Sequence, residues 1–274
     1  MKVEEKLYSD VPPTKLRNKE EKFKPAETSS FWLSIASFFF FNMLQNRFYA
    51  FRYKGADGVL EKGVPTILYA PHCNWWDGIV FYNITHRIFH KEIRIMIEEL
   101  NRFPILRHAG GYSVNKKSPQ SAMKALQYSV NCVCDTKNML CIFPQGIIRP
   151  PHFRPIEFQT GLAYIAQKAV KKMGKINLVP ISIEYCFLRD NRPEVLVQFG
   201  NKVTITAENC DKIDRKELTH ALEKAMEEVC DRQHDEISHG QLDEYDILFK
   251  QHLKWYRRIE QRLKRIDIPP VADV

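Results

Sequence analysis

From about residue 64 the 274-residue chain alternates two hydrophobic periods, and this limits the fold more than any other feature. Short β-rich runs read as strands: PTILYA, IRIMI, NMLCIF, INLVPISIEY, EVLVQFG and KVTIT. Between and after them lie runs with helical spacing, at about 75–88, 119–135, 159–173, 214–237 and 241–266. Strands interleaved with helices build an α/β sheet, mixed or mostly parallel, with helices on its faces. No internal repeat or low-complexity tract competes with that reading.

The length allows one large domain with a good core or two small ones. Hydrophobic residues make up 44%, and the net charge is +8. A basic balance favours an anionic partner: nucleic acid, an anionic membrane surface or an anionic ligand. The seven Cys are irregularly spaced, and the C-x-C of Cys132 and Cys134 has no second pair nearby to complete a zinc site. Reduced thiols and no apolar leader in MKVEEKLYSD are read as a cytosol-facing protein.

Residues 1–28 are polar, charged and Pro-containing, the composition of a loosely held arm. SSFWLSIASFFFFNMLQNRFYAF (29–51) follows, with Ser29 and Ser30 as candidate N-caps. Its apolar centre is shorter than the roughly 20 residues of a membrane span. It is rich in Phe, with Trp32 and Tyr49 near its ends, the pattern of a helix at a headgroup boundary. A helix buried on the domain itself is the other placement. Near the C-terminus, KWYRRIEQRLKR (254–265) reads as a solvated basic face or as a contact with anionic headgroups.

PHCNWWDG (71–78) holds the first candidate chemistry. Were both His72 and Asp77 helical, a five-residue step at about 100° per residue would set them roughly 140° apart. Asn74, following the strand TILYA, is a good N-cap. With Asn74 as cap, Asp77 takes the position of a capping-box acid, and the helix N-terminus favours its charged form. His72 then lies on the loop before the cap, free to fold back to Asp77. A carboxylate accepting from one ring N–H fixes the tautomer, leaves the other nitrogen as base and stabilises the imidazolium. Alone, so short a motif more often marks a simple cap and a satisfied loop histidine. Cys73 adjoins His72, but adjacent side chains usually point different ways, which makes it a weak candidate nucleophile. Trp75 and Trp76 either pack the core or line a groove beside the pair.

Three further blocks follow in order: GGYSVNK (110–116), FPQGIIR (143–149) and VPISI (179–183), with FQTGLAYIA (158–166) between the last two. Together with PHCNWWDG, and across about residues 60–200, the chain resembles the glycerolipid acyltransferase family that includes lysophosphatidate (1-acylglycerol-3-phosphate) acyltransferases. That family shows H-x-x-x-x-D, G-x-x-x-I-D-R, F-P-E-G-T-R-S and V-P-V-x-I in this order. The resemblance implies a single α/β acyltransferase domain and one-step acyl transfer. His72 would be the general base on an acceptor hydroxyl, and Asp77 would orient and stabilise it. It also implies a lipid acceptor and acyl-CoA or acyl-carrier protein as co-substrate, with no metal or bound organic cofactor and no nucleic acid.

The acceptor side departs from the family pattern. Asn115 and Lys116 stand where it has Asp-Arg, so the positive charge lacks the Arg fork. Gln145 stands for Glu, keeping a carbonyl acceptor and losing the charge. Ile148 takes the Arg position and Arg149 falls one place later. Asn115, Lys116, Pro144, Gln145, Gly146 and Arg149 are therefore the expected acceptor-binding set, with Pro144 and Gly146 also readable as turn punctuation. The expected acceptor is a lysophospholipid or related lipid. The alternatives are a lipid alcohol or glycolipid without phosphate and, in another class, a non-catalytic basic membrane-binding protein. No G-x-S-x-G elbow supports a lipid esterase.

The expected division is a flexible arm (1–28), an aromatic membrane-interface helix (29–55), an acyltransferase core (56–210) and a C-terminal helical segment (211–274). The expected location is the cytoplasmic face of a membrane, peripheral or monotopic.

Overall fold

The structure, a computed structural model, describes residues 23–251 apart from 99, 101, 117, 189 and 211. At its centre β2 (Thr66–Tyr69) lies between β5 (Asn138–Ile142) and β6 (Lys175–Cys186), parallel to both. Ile67 sits opposite Leu140 and Leu178, while Leu68 sits opposite Cys141 and Val179. Strand side chains alternate between faces, so these form two rows on opposite sides. The first row packs under α3 (Pro119–Cys134), α4 (Gly161–Met173) and α5 (Arg215–Ser238). The second meets α1 (Ser30–Arg47) and α2 (Trp76–Asn83). Each fully buried aliphatic side chain contributes about 1.5–3 kcal/mol of transfer free energy. Both faces of the central strands are therefore apolar, as their unbroken hydrophobic runs require.

Outward from β5 come β3 (Glu92–Ile97) and β4 (Gly111–Ser113), both parallel. Beyond β6, β7 (Glu194–Phe199) runs antiparallel to it, β1 (Ala50–Lys54) parallel to β7, and β9 (Asp246–Lys250) antiparallel to β1. The expected mixed α/β sheet is thus present, with nine strands among the described residues. β6 changes partners partway: Lys175–Leu178 pair with β8 (Val203–Thr206), and Ile181–Cys186 pair with β7. Pro180, which has no N–H to donate, sits at that handover.

Three expectations change. The aromatic segment is not helical through residue 55: α1 ends at Arg47, and Ala50–Lys54 joins the sheet, where Phe51 is fully buried. The helical run expected from 241 instead contains β9, and the basic stretch 254–265 lies outside the described residues. The sheet therefore draws strands from both sides of the expected core, 56–210. The end of the arm is also docked: Lys24 exchanges hydrogen bonds with Ser113, and Phe23 packs edge-on against Tyr128. The helices at 119–135, 159–173 and 214–237 form within two residues of their expected ends. α3 begins on Ser118 with Pro119 in its first turn, and α5 on an Asp214–Glu217 capping box.

On α1, Leu44 is fully buried, Phe40 packs edge-on against Tyr82, and Phe41 against Phe249. Its other side leaves Phe31, Ile35, Phe38 and Phe39 exposed. No helix among the described residues is long and apolar enough to cross a membrane.

Candidate active site

Two loops leave the C-terminal ends of adjacent parallel strands, the edge where open α/β sheets bind ligands. The loop after β2 carries His72, and the loop after β5 carries FPQGIIR. The first turns into α2 through the expected cap: Asn74 Oδ1 accepts from Trp76 N–H at 2.7 Å. Asp77 reaches back, its Oδ2 accepting from Asn74 N–H at 2.9 Å and from Cys73 N–H at 2.7 Å. The regular helix runs from Trp76, two residues beyond the side-chain cap.

The same Oδ2 lies 2.9 Å from His72 Nδ1. Asp77 is 1% exposed and the His72 side chain 24%, so a buried carboxylate holds a ring that solvent still reaches. With Nδ1–H given to Asp77, the lone pair sits on Nε2. The ring stacks on Phe143, centroids 4.2 Å apart and planes 13° apart, which fixes its plane. Phe143 lay inside the FPQG block without a role of its own. Tyr185, two residues after VPISI, likewise carried no role of its own, yet its hydroxyl donates to Asp77 Oδ1 at 2.7 Å.

The FPQG loop holds the His loop from both sides. Gln145 Oε1 accepts from His72 N–H at 3.0 Å, and His72 C=O accepts from Arg149 N–H at 2.8 Å. Gln145 is buried, so its carbonyl secures the backbone of His72. Pro144 C=O accepts from Gln159 N–H, and Gly146 closes a turn on Phe143 C=O with φ +72°, a backbone favouring glycine. The Lys116 ammonium donates to Gly146 C=O and, at 2.6 Å, to Glu98, so the second block does meet the third. Asn115 C=O accepts from Ser118 N–H at the entry to α3. The Arg149 guanidinium lies over the Phe153 ring, 4.8 Å from its centroid. Gly110, at φ +101°, lies so close to Ile93 C=O that a Cβ would fall 2.1 Å from that oxygen.

Beside this pair lies a second polar group of side chains. Between the 150–156 loop, β6 and α5 is a cavity of about 20 Å³, lined in part by Cys73, Gln145, His152, Arg154 and Glu184. His152 lies 3.8 Å from Glu184, and Arg154 bonds Asp231 of α5 at 2.6 Å. Burial pushes the Glu184 carboxyl up to about 6, and Asp77 adds to the rise. Burial, then Asp77, pushes the Cys73 thiol up to about 12, leaving it protonated and a poor nucleophile at neutral pH. Trp76 packs edge-on against Phe48 in the core, while Trp75 is exposed. Val179 and Ile181 are fully buried strand residues.

A search of curated proteins finds no match. The chain is similar in fold to the crystal structure of the 1-acyl-sn-glycerophosphate (LPA) acyltransferase, PlsC, from Thermotoga maritima. Identity is 18%, the TM-score 0.50, and the match covers 75% of this chain and 79% of that one. Residues 51–184 match the family model Acyltransferase, a span from β1 through most of β6 that contains the His72–Asp77 pair and both loops around it. Residues 51–184 therefore carry an acyltransferase domain, on a fold shared with an acyltransferase of known structure.

Proposed function

We propose that the protein moves a fatty acyl group from acyl-CoA or acyl-carrier protein to the hydroxyl of a lysophospholipid or related lipid, with His72 as general base. The observation that carries this reading is the 2.9 Å contact between His72 Nδ1 and a buried Asp77 whose backbone bonds hold it in place. The acceptor hydroxyl gives its proton to Nε2 as its oxygen attacks the thioester carbonyl. Asp77 stabilises the imidazolium so formed. The tetrahedral intermediate collapses by breaking the C–S bond, and the imidazolium returns the proton to the departing thiolate. The products are the lipid ester and the free thiol, and no step needs a metal or bound organic cofactor.

Lys116, which reaches the FPQG loop, supports a phosphate-bearing acceptor. Gln145 contributes no charge there, which keeps an acceptor without phosphate as the second reading. The exposed Phe31, Ile35, Phe38 and Phe39 support peripheral or monotopic seating at a membrane surface, and the net charge of +8 and the irregularly spaced Cys favour an anionic, cytoplasmic face. Replacing Phe31, Phe38 and Phe39 together by Ser is expected to release the protein from anionic vesicles in sedimentation assays. Undiminished binding would move the anchor elsewhere. Deleting residues 1–51 would not test this cleanly, because Phe48 and Phe51 are core residues.

The chemistry is tested by incubating labelled acyl-CoA or acyl-carrier protein with a panel of phosphorylated and uncharged lipid acceptors, read by mass spectrometry and thiol release. Acylated product with one acceptor class identifies the reaction. Thiol release that ignores the acceptor would make the protein a hydrolase, and no release in any pairing would leave a binding protein.

A further inference from the structure

Asp77 has two carboxylate oxygens, and His72 uses only one. The other, Oδ1, receives the Tyr185 hydroxyl at 2.7 Å. Tyr185 comes from β6, 108 positions further along the chain, where it pairs with Val195 of β7. Its ring packs against Phe48, which also packs edge-on against Trp76 in the first turn of α2. Burial first, then the charge of Asp77, pushes its phenol well above the ordinary tyrosine range, so it remains a donor throughout the working pH range. A side-chain hydrogen bond from Asn74, the cap of α2, reaches the same phenol.

We propose that Tyr185 is a positioning residue for acyl transfer: its hydroxyl clamps the Asp77 carboxylate and thereby sets how strongly Asp77 holds the His72 imidazolium. This rests on the reading of His72 as general base. Two physical effects support it. The terminal torsion of an aspartate is broad and nearly two-fold, and the imidazole and both backbone N–H groups act on Oδ2, which leaves the anchoring of Oδ1 to the phenol. The phenol closes off that rotation. In addition, each donor on a carboxylate draws on the negative charge that would stabilise a neighbouring cation. Tyr185 and two backbone N–H groups already draw on Asp77, so less of its charge is left for the imidazolium. The other titratable groups facing this cluster are Cys73 on the His loop and Glu184 on β6. Glu184 in turn faces His152 of the 150–156 loop, Arg154 and His234 of α5.

The experiment is Tyr185→Phe in the full chain, with pH–rate profiles and NMR titration of the His72 ring in histidine-labelled protein. The acid limb of kcat/KM and the ring titration are expected to move upward together by about half a unit, a part of what one charge-assisted hydrogen bond can shift. The kcat is expected to fall roughly tenfold, less than the about 10²–10⁴-fold that general-base catalysis contributes as a whole, with KM for both substrates nearly unchanged. Site-specific 3,5-difluorotyrosine at position 185, a stronger donor, should move the limb downward, and it decides the matter if the Phe variant does not fold. A wild-type limb and ring titration in Tyr185→Phe would overturn the proposal. His72→Ala separates the two readings: if it still transfers acyl groups, the base reading fails. If it is inactive while the Tyr185 variants titrate as wild type, only the positioning role fails.

Discussion

The two loops that meet at the site are built in different ways. The His loop is settled within six residues: Asn74 caps, Asp77 reaches back to the backbone of Cys73 and Asn74, and His72 folds onto Asp77. The FPQG loop takes its position from distant partners. Gln145 reaches His72 across 73 positions, and Lys116 reaches Gly146 across 30. The contrast teaches that the base is made by local capping chemistry, while the acceptor side depends on how separate strands bring their ends together. It follows that the base should tolerate changes in the second loop better than acceptor choice does.

The sharpest way to break this contrast is His72→Ala. It is expected to lower kcat by about 10³-fold, within the range general-base catalysis contributes, while circular dichroism and thermal melting stay near wild type. Near-normal turnover would remove the base from His72 altogether. Gln145 comes next in size. Gln145→Ala leaves the His72 N–H without its acceptor and is expected to cost about 1–3 kcal/mol of stability in denaturant titration. Gln145→Glu keeps an oxygen there and adds a charge, so it is expected to change the ranking of lipid acceptors in the mass-spectrometric panel. An unchanged ranking would mean that position 145 serves only the backbone of His72.

The smallest effect concerns Glu184, beside both loops. Its carboxyl is raised from 4.5 to about 6 chiefly by burial. A raised acid binds its proton more tightly in the folded state than in the unfolded one. Its stabilising contribution is therefore complete below about pH 4.5 and lost as pH rises through about 6. Glu184→Gln should flatten this part of the stability profile, making the variant more stable than wild type above pH 6 by about 2 kcal/mol at most. Equal slopes between pH 4 and 7 in denaturant titrations would show that Glu184 ionises without cost.

Much of the fold was legible because its central strands and long helices carry their period and caps in consecutive residues. INLVPISIEY became β6, and the run at 214–237 became α5 on its own capping box. Elements that depend on a neighbour were not legible. DILFK at 246–250 sits in a charged run that reads as helical, yet it is a strand because β1 offers it an edge. β1 itself was hidden in the aromatic segment, because Phe48, Tyr49 and Phe51 look alike whether they extend a helix or enter a sheet. In the site, His72, Asp77 and the cap were readable, whereas Phe143 and Tyr185 could not be assigned roles from their own spacing.

By itself the sequence determined an α/β chain and a histidine held by a first-turn carboxylate, because caps and periods act over a few residues and need no distant partner. Only the tertiary structure decided that Phe143 fixes the ring plane, that Gln145 holds the His72 backbone and that Tyr185 closes the far side of Asp77. Those contacts join strands and loops whose side chains become neighbours only once β2, β5 and β6 lie side by side.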